Sequence, residues 1–543
     1  MAHTTPHPAR ANCGWARPAR RRSWASVLLT TAAVVGVGIT PLPAGAAPRT
    51  PAVAASATLR LAFEGDMGAP DPDVFYATEG LEVMTSLYQG LLQYANNSTK
   101  IVGDLARSWS VSKDGKTYTF HLQAGVRFHD GTPFDSAAVA FSFARRTKID
   151  QAPAYMLAHV KSVSTPSPLT VVVHLDQPVS AFLDYLASPF GPKMVSPTAI
   201  RAHELKGDEA QKWLLDHDAG TGPYEITSWV PSQRYVLSRF AGYWGHKPYF
   251  ANVVISIIPS ITTQQIELRD GQLDIIFHGL SPAASKSFEG NKDFEVNEYP
   301  TEMKGILFVN SHKGPFTSQA ARHALEEALD KSQITKDVYG SAGTVSTQLF
   351  PAGEIPQSYQ SSVVPYDPSV LKDLVPKLPT RVVDIGYDPT DPRNQVLAEL
   401  VQVALGEAGM TATTRAIPIA QIFGLASAPS KAPDILIQTT NPDASHPDTW
   451  SRIYMNKEGG ADYLQCWSTE ADSLMNAGLA ATTTKAVYQD YGEAGNILVK
   501  QGCFIDIADV QDVIVTRSGL TGFYHVPAIP WALNLGTLEE ANA

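Results

Sequence analysis

The chain has 543 residues, of which 44% are hydrophobic, and it carries a formal net charge of −11 at pH 7. This length predicts about three domains, and the scattered glycines and prolines exclude a collagen-like or low-complexity protein. A net negative surface repels nucleic acid and anionic membranes, so neither is expected as a partner.

The N-terminal residues 1–47 have the three parts of a secretory signal peptide. A cluster of arginines ending at Arg22 precedes the apolar stretch WASVLLTTAAVVGVGI, and Ala44-Gly45-Ala46 offers a small-residue cleavage site. The apolar stretch is too short for a transmembrane helix, which needs about 20 apolar residues. Removing residues 1–47 takes away five arginines and no acid, which changes the net charge from −11 to −16.

The sequence therefore predicts an exported, extracytoplasmic protein and leaves its final location open. The consecutive arginines are compatible with the general secretory route and with the twin-arginine route. No cysteine lies at the end of the signal segment, directly after the apolar stretch, so a lipoprotein anchor is not expected. Periplasmic, surface-associated and secreted locations all remain open.

Two of the three cysteines would remain after removal of the signal peptide. Cys13 lies before the apolar stretch, whereas Cys466 and Cys503 lie far beyond it. In an oxidising compartment a disulfide between these two is expected, with two buried free thiols as the alternative. In the chain-entropy model such a disulfide stabilises the fold by about 4 kcal/mol.

The first predicted elements follow a leader rich in proline, alanine and threonine, residues 48–57, which is expected to be flexible. The alternating segment TLRLAF, residues 58–63, predicts a strand. The apolar residues of LEVMTSLYQGLLQY, residues 81–94, recur at helical spacing and predict a helix. Two alternating segments on either side of Asp114-Gly115 predict a β-hairpin.

The stretch VRFHDGTPFD, residues 126–135, brings His129 and two aspartates close together in the sequence. A turn explains these residues better than a catalytic or metal site. Asp130-Gly131 is a strong turn dipeptide, because glycine accepts a positive φ. Asp135 is placed to cap the following helix with its carboxylate.

The remaining chain predicts an α/β fold, because strands and helices alternate in its second half. The run at 251–260 is continuously apolar, as in a strand buried on both faces. Strands are predicted at 169–175, 220–226, 234–240, 251–260, 381–387, 434–439 and 512–518. Helices are predicted from residue 317 and at 394–408, and a helix entering a buried strand is predicted at 264–277.

The motifs of enzymes are absent from this sequence. It contains no nucleophile elbow, zinc-protease motif, phosphate-binding loop or dinucleotide fingerprint. We therefore predict no enzymatic activity, no cofactor and no metal site. The densest polar cluster is NPDASHPDTW, residues 441–450, which follows the strand at 434–439. Since α/β folds bind ligands at the C-terminal ends of parallel strands, this cluster is a candidate site, with a solvated turn as the alternative.

The segment GDLARSWSVSKDGKTYTFHLQAGVRFHDGTPFDSAAVAFSFAR, residues 103–145, strongly resembles the signature region of the extracellular solute-binding proteins of family 5. These are the peptide-, oligopeptide- and nickel-binding components of ABC importers. Further similar motifs follow in the expected order over nearly the whole mature chain. They are GTGPYEI from residue 220, GYW from 242, RDGQLDI from 269, LFVN from 307, ARHALEEALDK up to 331 and QLFPAGEIP from 348.

The resemblance implies a two-lobed periplasmic-binding-protein fold, in the class with an extra domain, with mixed β-sheets flanked by helices and a hinge between the lobes. By position, lobe one would comprise residues 58–90, 219–299 and 511–543. The extra domain would be inserted at residues 91–218, and lobe two would comprise residues 300–510.

The resemblance also implies a ligand site. In peptide-binding members an aspartate of a D-x-x-D-P loop pairs with the α-amine of the peptide, and Asp443 stands in that place with His446 at the second acid. Thr440 and Asn441 are expected to contribute to the same site. The implied function is capture of a di- or oligopeptide between the lobes and delivery to ABC permease subunits, by a protein expected to be a monomer.

Several alternatives stay open at this point. Since His446 replaces an acid, chelated nickel, haem or a saccharide is an alternative ligand within the family. A receptor that senses a peptide signal without importing it is another reading. A secreted hydrolase is the alternative of a different class.

Overall fold

The computed structural model describes residues 57–541, except 152, 429, 430, 458 and 460–462. The predicted signal peptide and all of the predicted leader except residue 57 lie outside this range. Within it, no helix combines the length and the apolar character that crossing a bilayer requires.

The strands of the described residues are numbered in chain order. They are β1 (Thr58–Phe63), β2 (Leu92–Tyr94), β3 (Ile101–Gly103), β4 (Ala106–Val111), β5 (Thr117–Leu122), β6 (Val160–Ser167), β7 (Thr170–Leu175), β8 (Tyr224–Val230), β9 (Arg234–Arg239), β10 (Asn252–Ile257), β11 (Ile275–Ile276), β12 (Phe294–Val309), β13 (Gly343–Val345), β14 (Val382–Tyr387), β15 (Thr411–Ala416), β16 (Ile435–Thr440), β17 (Phe504–Arg517), β18 (Leu520–Thr521) and β19 (Glu539–Glu540).

The α-helices are numbered in the same way. They are α1 (Leu81–Leu87), α2 (Ser136–Ile149), α3 (Phe182–Ala187), α4 (Pro197–His203), α5 (Ile261–Arg269), α6 (Pro282–Lys286), α7 (Gln319–Glu327), α8 (Lys331–Tyr339), α9 (Pro368–Leu374), α10 (Pro392–Glu407), α11 (Ile419–Ile422), α12 (Pro447–Tyr454), α13 (Thr469–Ala480) and α14 (Thr484–Gln501).

One four-stranded sheet has the order β1-β10-β9-β8, and the part of the molecule that carries it is called the first lobe. Strands β1 and β10 are parallel, whereas β8, β9 and β10 are antiparallel. The prediction that β10 is buried on both faces is wrong. Its burial alternates, because Val253 and Ile255 pack into the core while the intervening residues are half-buried.

A second four-stranded sheet, antiparallel with the order β4-β5-β7-β6, defines the inserted domain. The local predictions for the stretch before α2 are confirmed. Gly131 has a φ of +81°, and the carboxylate of Asp135 accepts a hydrogen bond of 3.1 Å from the backbone N–H of Ala138. These residues form a turn and a helix cap.

A seven-stranded sheet has the order β11-β17-β12-β16-β14-β15, with β13 also paired to β17. The part that carries β14, β15 and β16 is called the second lobe. The predicted α/β pattern is confirmed there, because β14 is parallel to both β15 and β16 and helix α10 connects β14 to β15. Strands β12 and β17 are the longest of the described strands and pair antiparallel to each other. The C-terminal end of β17 pairs with the two-residue strand β11, and the C-terminal end of β12 pairs with β16 in the second lobe.

The predicted disulfide between Cys466 and Cys503 is confirmed. Its Cα atoms are 6.3 Å apart, within the usual range for such a bond. It joins the segment before α13 to the start of β17, so it lies entirely in the second lobe.

The predicted helix at 81–94 is too long. Helix α1 ends at Leu87, and Tyr88 is extended. The carbonyl of Leu87 accepts a hydrogen bond of 2.9 Å from the N–H of Gly222, so it has a partner outside the helix. The backbone at Gly222 lies so close to the end of α1 that a Cβ atom on Gly222 would be 2.2 Å from the carbonyl oxygen of Ser86.

Candidate ligand-binding cavity

A cavity of about 1040 Å³ lies between the first and second lobes. Its first-lobe wall includes Glu64, directly after β1, and Tyr76 in the loop before α1. Its second-lobe wall includes Gln438 and Thr440 at the C-terminal end of β16, together with Asp443 in the following loop. This volume is at the upper end of the range for small-molecule sites, about 300–1,000 Å³.

Asp443 is the most enclosed carboxylate of this second-lobe wall, with 4% of its surface exposed. Its Oδ1 and Oδ2 accept hydrogen bonds of 2.9 and 3.0 Å from the hydroxyl of Tyr76. Oδ2 also accepts a hydrogen bond of 2.9 Å from the hydroxyl of Tyr155, in a 3₁₀ turn of the inserted domain. Three parts of the molecule thus meet at one carboxylate.

The electrostatic state of Asp443 follows from these surroundings. Burial raises its pKa to about 6, while the two tyrosine hydroxyls and the more distant Arg146 lower it. Among the described residues no lysine, arginine or histidine makes an ion pair with Asp443. Burial also raises the pKa of Tyr76 and of Tyr155 well above the usual range, and Asp443 adds to this effect, so both phenols are neutral donors at pH 7.

The backbone of the loop after β16 is held from both sides. Ser188 of the inserted domain donates its hydroxyl hydrogen to the carbonyl of Asp443, at 2.5 Å. The side chain of Thr449 on α12 bonds to both the N–H and the carbonyl of Ala444, at 3.2 and 2.6 Å. These contacts from the inserted domain and from α12 fix the backbone of the loop that carries Asp443.

The two residues predicted beside Asp443 also line the cavity. The hydroxyl of Thr440 lies 2.5 Å from that of Tyr454. The amide nitrogen of Asn441 donates to the carbonyl of Ala528, at 3.2 Å, and so ties the loop to the C-terminal segment. Both side chains are hydrogen-bonded to other protein groups, so they help to shape the cavity wall.

His446 lies elsewhere. It is the N-cap of α12, and its Nδ1 accepts a hydrogen bond of 3.1 Å from the N–H of Asp448. Burial lowers its pKa to about 4, so the ring is neutral and suited to accept this bond. It lines a smaller cavity, of about 550 Å³, between the inserted domain and the second lobe. The structure therefore brings three of the four predicted site residues together and separates the fourth.

Tyr76, Tyr155 and Glu79 contribute to the site but were not predicted. Tyr76 is 367 residues and Tyr155 is 288 residues from Asp443 along the chain. No local pattern marks these residues. Glu64 also lines the cavity, and its position directly after the strand β1 is a signal that can be read from the sequence.

Over residues 57–541, less the gaps named above, no group of three or more histidines, cysteines, aspartates or glutamates is arranged to hold a metal ion. The arrangement at Asp443 is instead one buried carboxylate among neutral hydroxyl donors, which is chemically suited to receive a cationic N–H donor.

Comparisons with known proteins agree on one family. The profile for bacterial extracellular solute-binding proteins, family 5 (middle region), matches residues 100–462. The probable D,D-dipeptide-binding periplasmic protein DdpA of Escherichia coli K12 is 26% identical over 490 residues, which cover 87% of this chain and 92% of that protein. The glutathione-binding protein GsiB of Escherichia coli O1:K1 is 31% identical over 297 residues, 54% of this chain and 56% of that protein.

Among solved structures, the dipeptide-binding protein of Pseudoalteromonas sp. SM9913 in complex with Met-Leu superposes with a TM-score of 0.79. The two are 21% identical, and the match covers 89% of this chain and all of that chain. This likeness confirms the predicted two-lobed α/β fold.

Proposed function

This chain belongs to the bacterial extracellular solute-binding proteins of family 5, and we propose that it captures a short peptide by its free α-amine between the two lobes. Members of the family are extracytoplasmic binding proteins of ABC importers and are not enzymes. In this proposal the protein delivers the peptide intact to the permease subunits of its importer.

The observation that carries the proposal is the state of Asp443. Its carboxylate is buried in the cavity wall, accepts hydrogen bonds from two neutral phenols and has no cation in ion-pair contact among the described residues. A buried carboxylate without a paired cation is unfavourable. The ammonium group of a peptide would supply a charge-assisted hydrogen bond at that point.

The topology supports closure around such a ligand. Tyr76 and Tyr155 reach Asp443 from the first lobe and the inserted domain, while the long strands β12 and β17 connect the lobes. A few residues in such connections can absorb a hinge motion. We propose that the lobes have the limits expected from the sequence, residues 58–90, 219–299 and 511–543 for the first and residues 300–510 for the second.

Two named relatives make a peptide the preferred ligand class. DdpA is described as a probable D,D-dipeptide-binding protein, and GsiB as a glutathione-binding protein. Both descriptions name short peptidic molecules. Thr440 and Asn441 lie in the cavity wall beside Asp443, so we include them in the proposed site, whereas the position of His446 favours a structural role.

Calorimetry with matched ligands tests the proposal. The purified protein is titrated with Ala-Ala-Ala and with N-acetyl-Ala-Ala-Ala, which lacks the ammonium group. We expect the free peptide to bind at least tenfold more tightly. Equal affinities, or mass spectrometry that finds a metal chelate, haem or a saccharide released from the denatured protein, would contradict the proposal.

A further inference from the structure

The cavity wall has a strong excess of acidic residues. Among the described residues that line it, nine are aspartate or glutamate and two are lysine or arginine. One of the two cations, Arg393, is already paired with Asp391 at 2.7 Å. One α-amine would neutralise one carboxylate, Asp443, and would leave most of this negative charge uncompensated.

Two of these acids form a pair on the first-lobe wall, remote in sequence from Asp443. Glu64 follows β1 directly, at the carboxyl end of the parallel pair β1 and β10. The carboxylate of Glu79 accepts hydrogen bonds of 2.5 and 3.1 Å from the N–H groups of Glu64 and Gly65. These bonds hold the carboxyl group of Glu79 against the backbone of Glu64.

Among the described residues, no lysine or arginine lies within ion-pair distance of these two carboxylates. The nearest titratable nitrogen is Nε2 of His278, 4.0 Å from Glu79. Burial lowers the pKa of His278 to about 4, so the ring is neutral at pH 7. Burial, with Glu64 as a smaller cause, raises the pKa of Glu79 to about 7, as expected for a carboxylate that lacks a counter-ion.

The second lobe presents a further acid to this pair. After burial, the proximity of Asp391 is the second cause that raises the pKa of Glu64. Acids of the two lobes therefore face each other across the cavity. Asp391 is already paired with Arg393, so the negative charge without a partner at this junction is that of Glu64 and Glu79, which a cation would compensate.

An independent observation on the opposite wall points to a ligand that carries N–H donors. Gln438 is 3% exposed and lines the cavity. Its Nε2 donates to Asp388 at 3.4 Å, but its Oε1 finds no hydrogen-bond donor in the described part of the chain. A buried acceptor without a donor is costly, and a ligand rich in N–H groups would supply one.

We propose that this cavity selects peptides that carry a second cationic group, such as a lysine or arginine side chain. The side-chain cation lies against Glu64 and Glu79, while the α-amine lies against Asp443. This inference rests on the proposed function, because it adds a second contact to the same bound peptide. An organic cation fits better than a metal ion, since the described residues hold no metal-ligating cluster.

The test uses peptides of equal shape and different charge. Calorimetry is performed with Ala-Lys-Ala and Ala-Ala-Lys, and with the same peptides containing uncharged norleucine in place of lysine. We expect at least one lysine peptide to bind at least tenfold more tightly than its norleucine counterpart. In the Glu64→Gln/Glu79→Gln variant this advantage should fall below threefold.

A matched control and the contrary outcomes keep the two proposals separate. Glu407→Gln removes one charge from the exposed face of α10 and should leave all affinities unchanged. Norleucine peptides that bind as tightly as lysine peptides would overturn the inference and leave the proposed function intact. An advantage of lysine that survives in the double variant would overturn the assignment to Glu64 and Glu79. Failure of every peptide to bind would instead overturn the proposed function.

Discussion

The hydroxyl of Tyr76 in the first lobe donates hydrogen bonds of 2.9 and 3.0 Å to both carboxylate oxygens of Asp443 in the second lobe. This contact joins the two walls of the cavity. A peptide ammonium would approach the same two oxygens, each of which has more than one lone pair. Tyr76 therefore both orients the carboxylate and links the lobes across the site.

Replacing Asp443 tests the contact that carries the proposed function. Asp443→Ala or Asp443→Asn removes the negative charge, and we expect the affinity for a free-amine peptide to fall at least tenfold in calorimetry. The change should not affect N-acetylated peptides, which have no ammonium to lose. A matched control is Asp150→Asn, at the end of α2 and outside the cavity wall. Unchanged affinity in the Asp443 variants would remove this residue from the site.

The pKa of Asp443 predicts a pH dependence of binding. Its pKa of about 6 means that the carboxylate is mostly charged at pH 7 and protonated at pH 5. Because the ammonium binds the charged form, affinity for Ala-Ala-Ala should fall as the pH falls below 6, by about tenfold per unit at the limit. Glu64, Glu79 and His278 also titrate in this cavity, so the Asp443→Asn variant, measured from pH 5 to 7, isolates the contribution of Asp443.

Tyr76→Phe should move the midpoint of that titration. The variant removes a donor that lowers the pKa of Asp443, so the pH at which peptide affinity declines should shift upward. Tyr366→Phe is the matched control, because Tyr366 is exposed and does not line the cavity. A midpoint that stays in place would show that Tyr76 does not influence the carboxylate in solution.

The disulfide predicts a difference in stability between oxidised and reduced protein. Reduction, or the Cys466→Ser/Cys503→Ser variant, should lower the free energy of unfolding by up to about 4 kcal/mol in the chain-entropy model, as measured by urea denaturation. Titration of the denatured, unreduced mature protein should find no free thiol. Two reactive thiols per chain would contradict the bond between these residues.

A buried ion network between the loop after β1 and helix α2 predicts a large effect of one substitution. Arg145 donates to Asp71 at 2.8 and 2.7 Å and to Asp73 at 2.6 Å. Arg145→Met would leave the buried Asp71 without its ion-pair partner and Asp73 with only Arg146, at 3.8 Å, and should cost about 3–5 kcal/mol of unfolding free energy, measured by urea denaturation. The exposed Arg127 makes one bond, to a turn carbonyl, so Arg127→Met should change stability by less than about 0.5 kcal/mol. Equal losses in both variants would contradict this account.

Local structure was predictable where short-range contacts decide it. The turn at Gly131 and the cap at Asp135 depend on residues within a few positions, and both are confirmed. The length of α1 was not predictable, because the hydrogen bond that takes up the carbonyl of Leu87 comes from Gly222. Helical periodicity alone carries no information about such a distant donor.

The sequence by itself determined the α/β class, the resemblance to family 5 and the position of Asp443 after a parallel strand, since each is written in a continuous segment. Only the tertiary structure decided what surrounds that carboxylate. Tyr76 and Tyr155 reach the carboxylate, and Glu64 and Glu79 reach the cavity wall, from segments far away in the chain. The physical reason is that burial and charge pairing depend on distances in space, whereas a linear pattern reports only neighbours along the backbone.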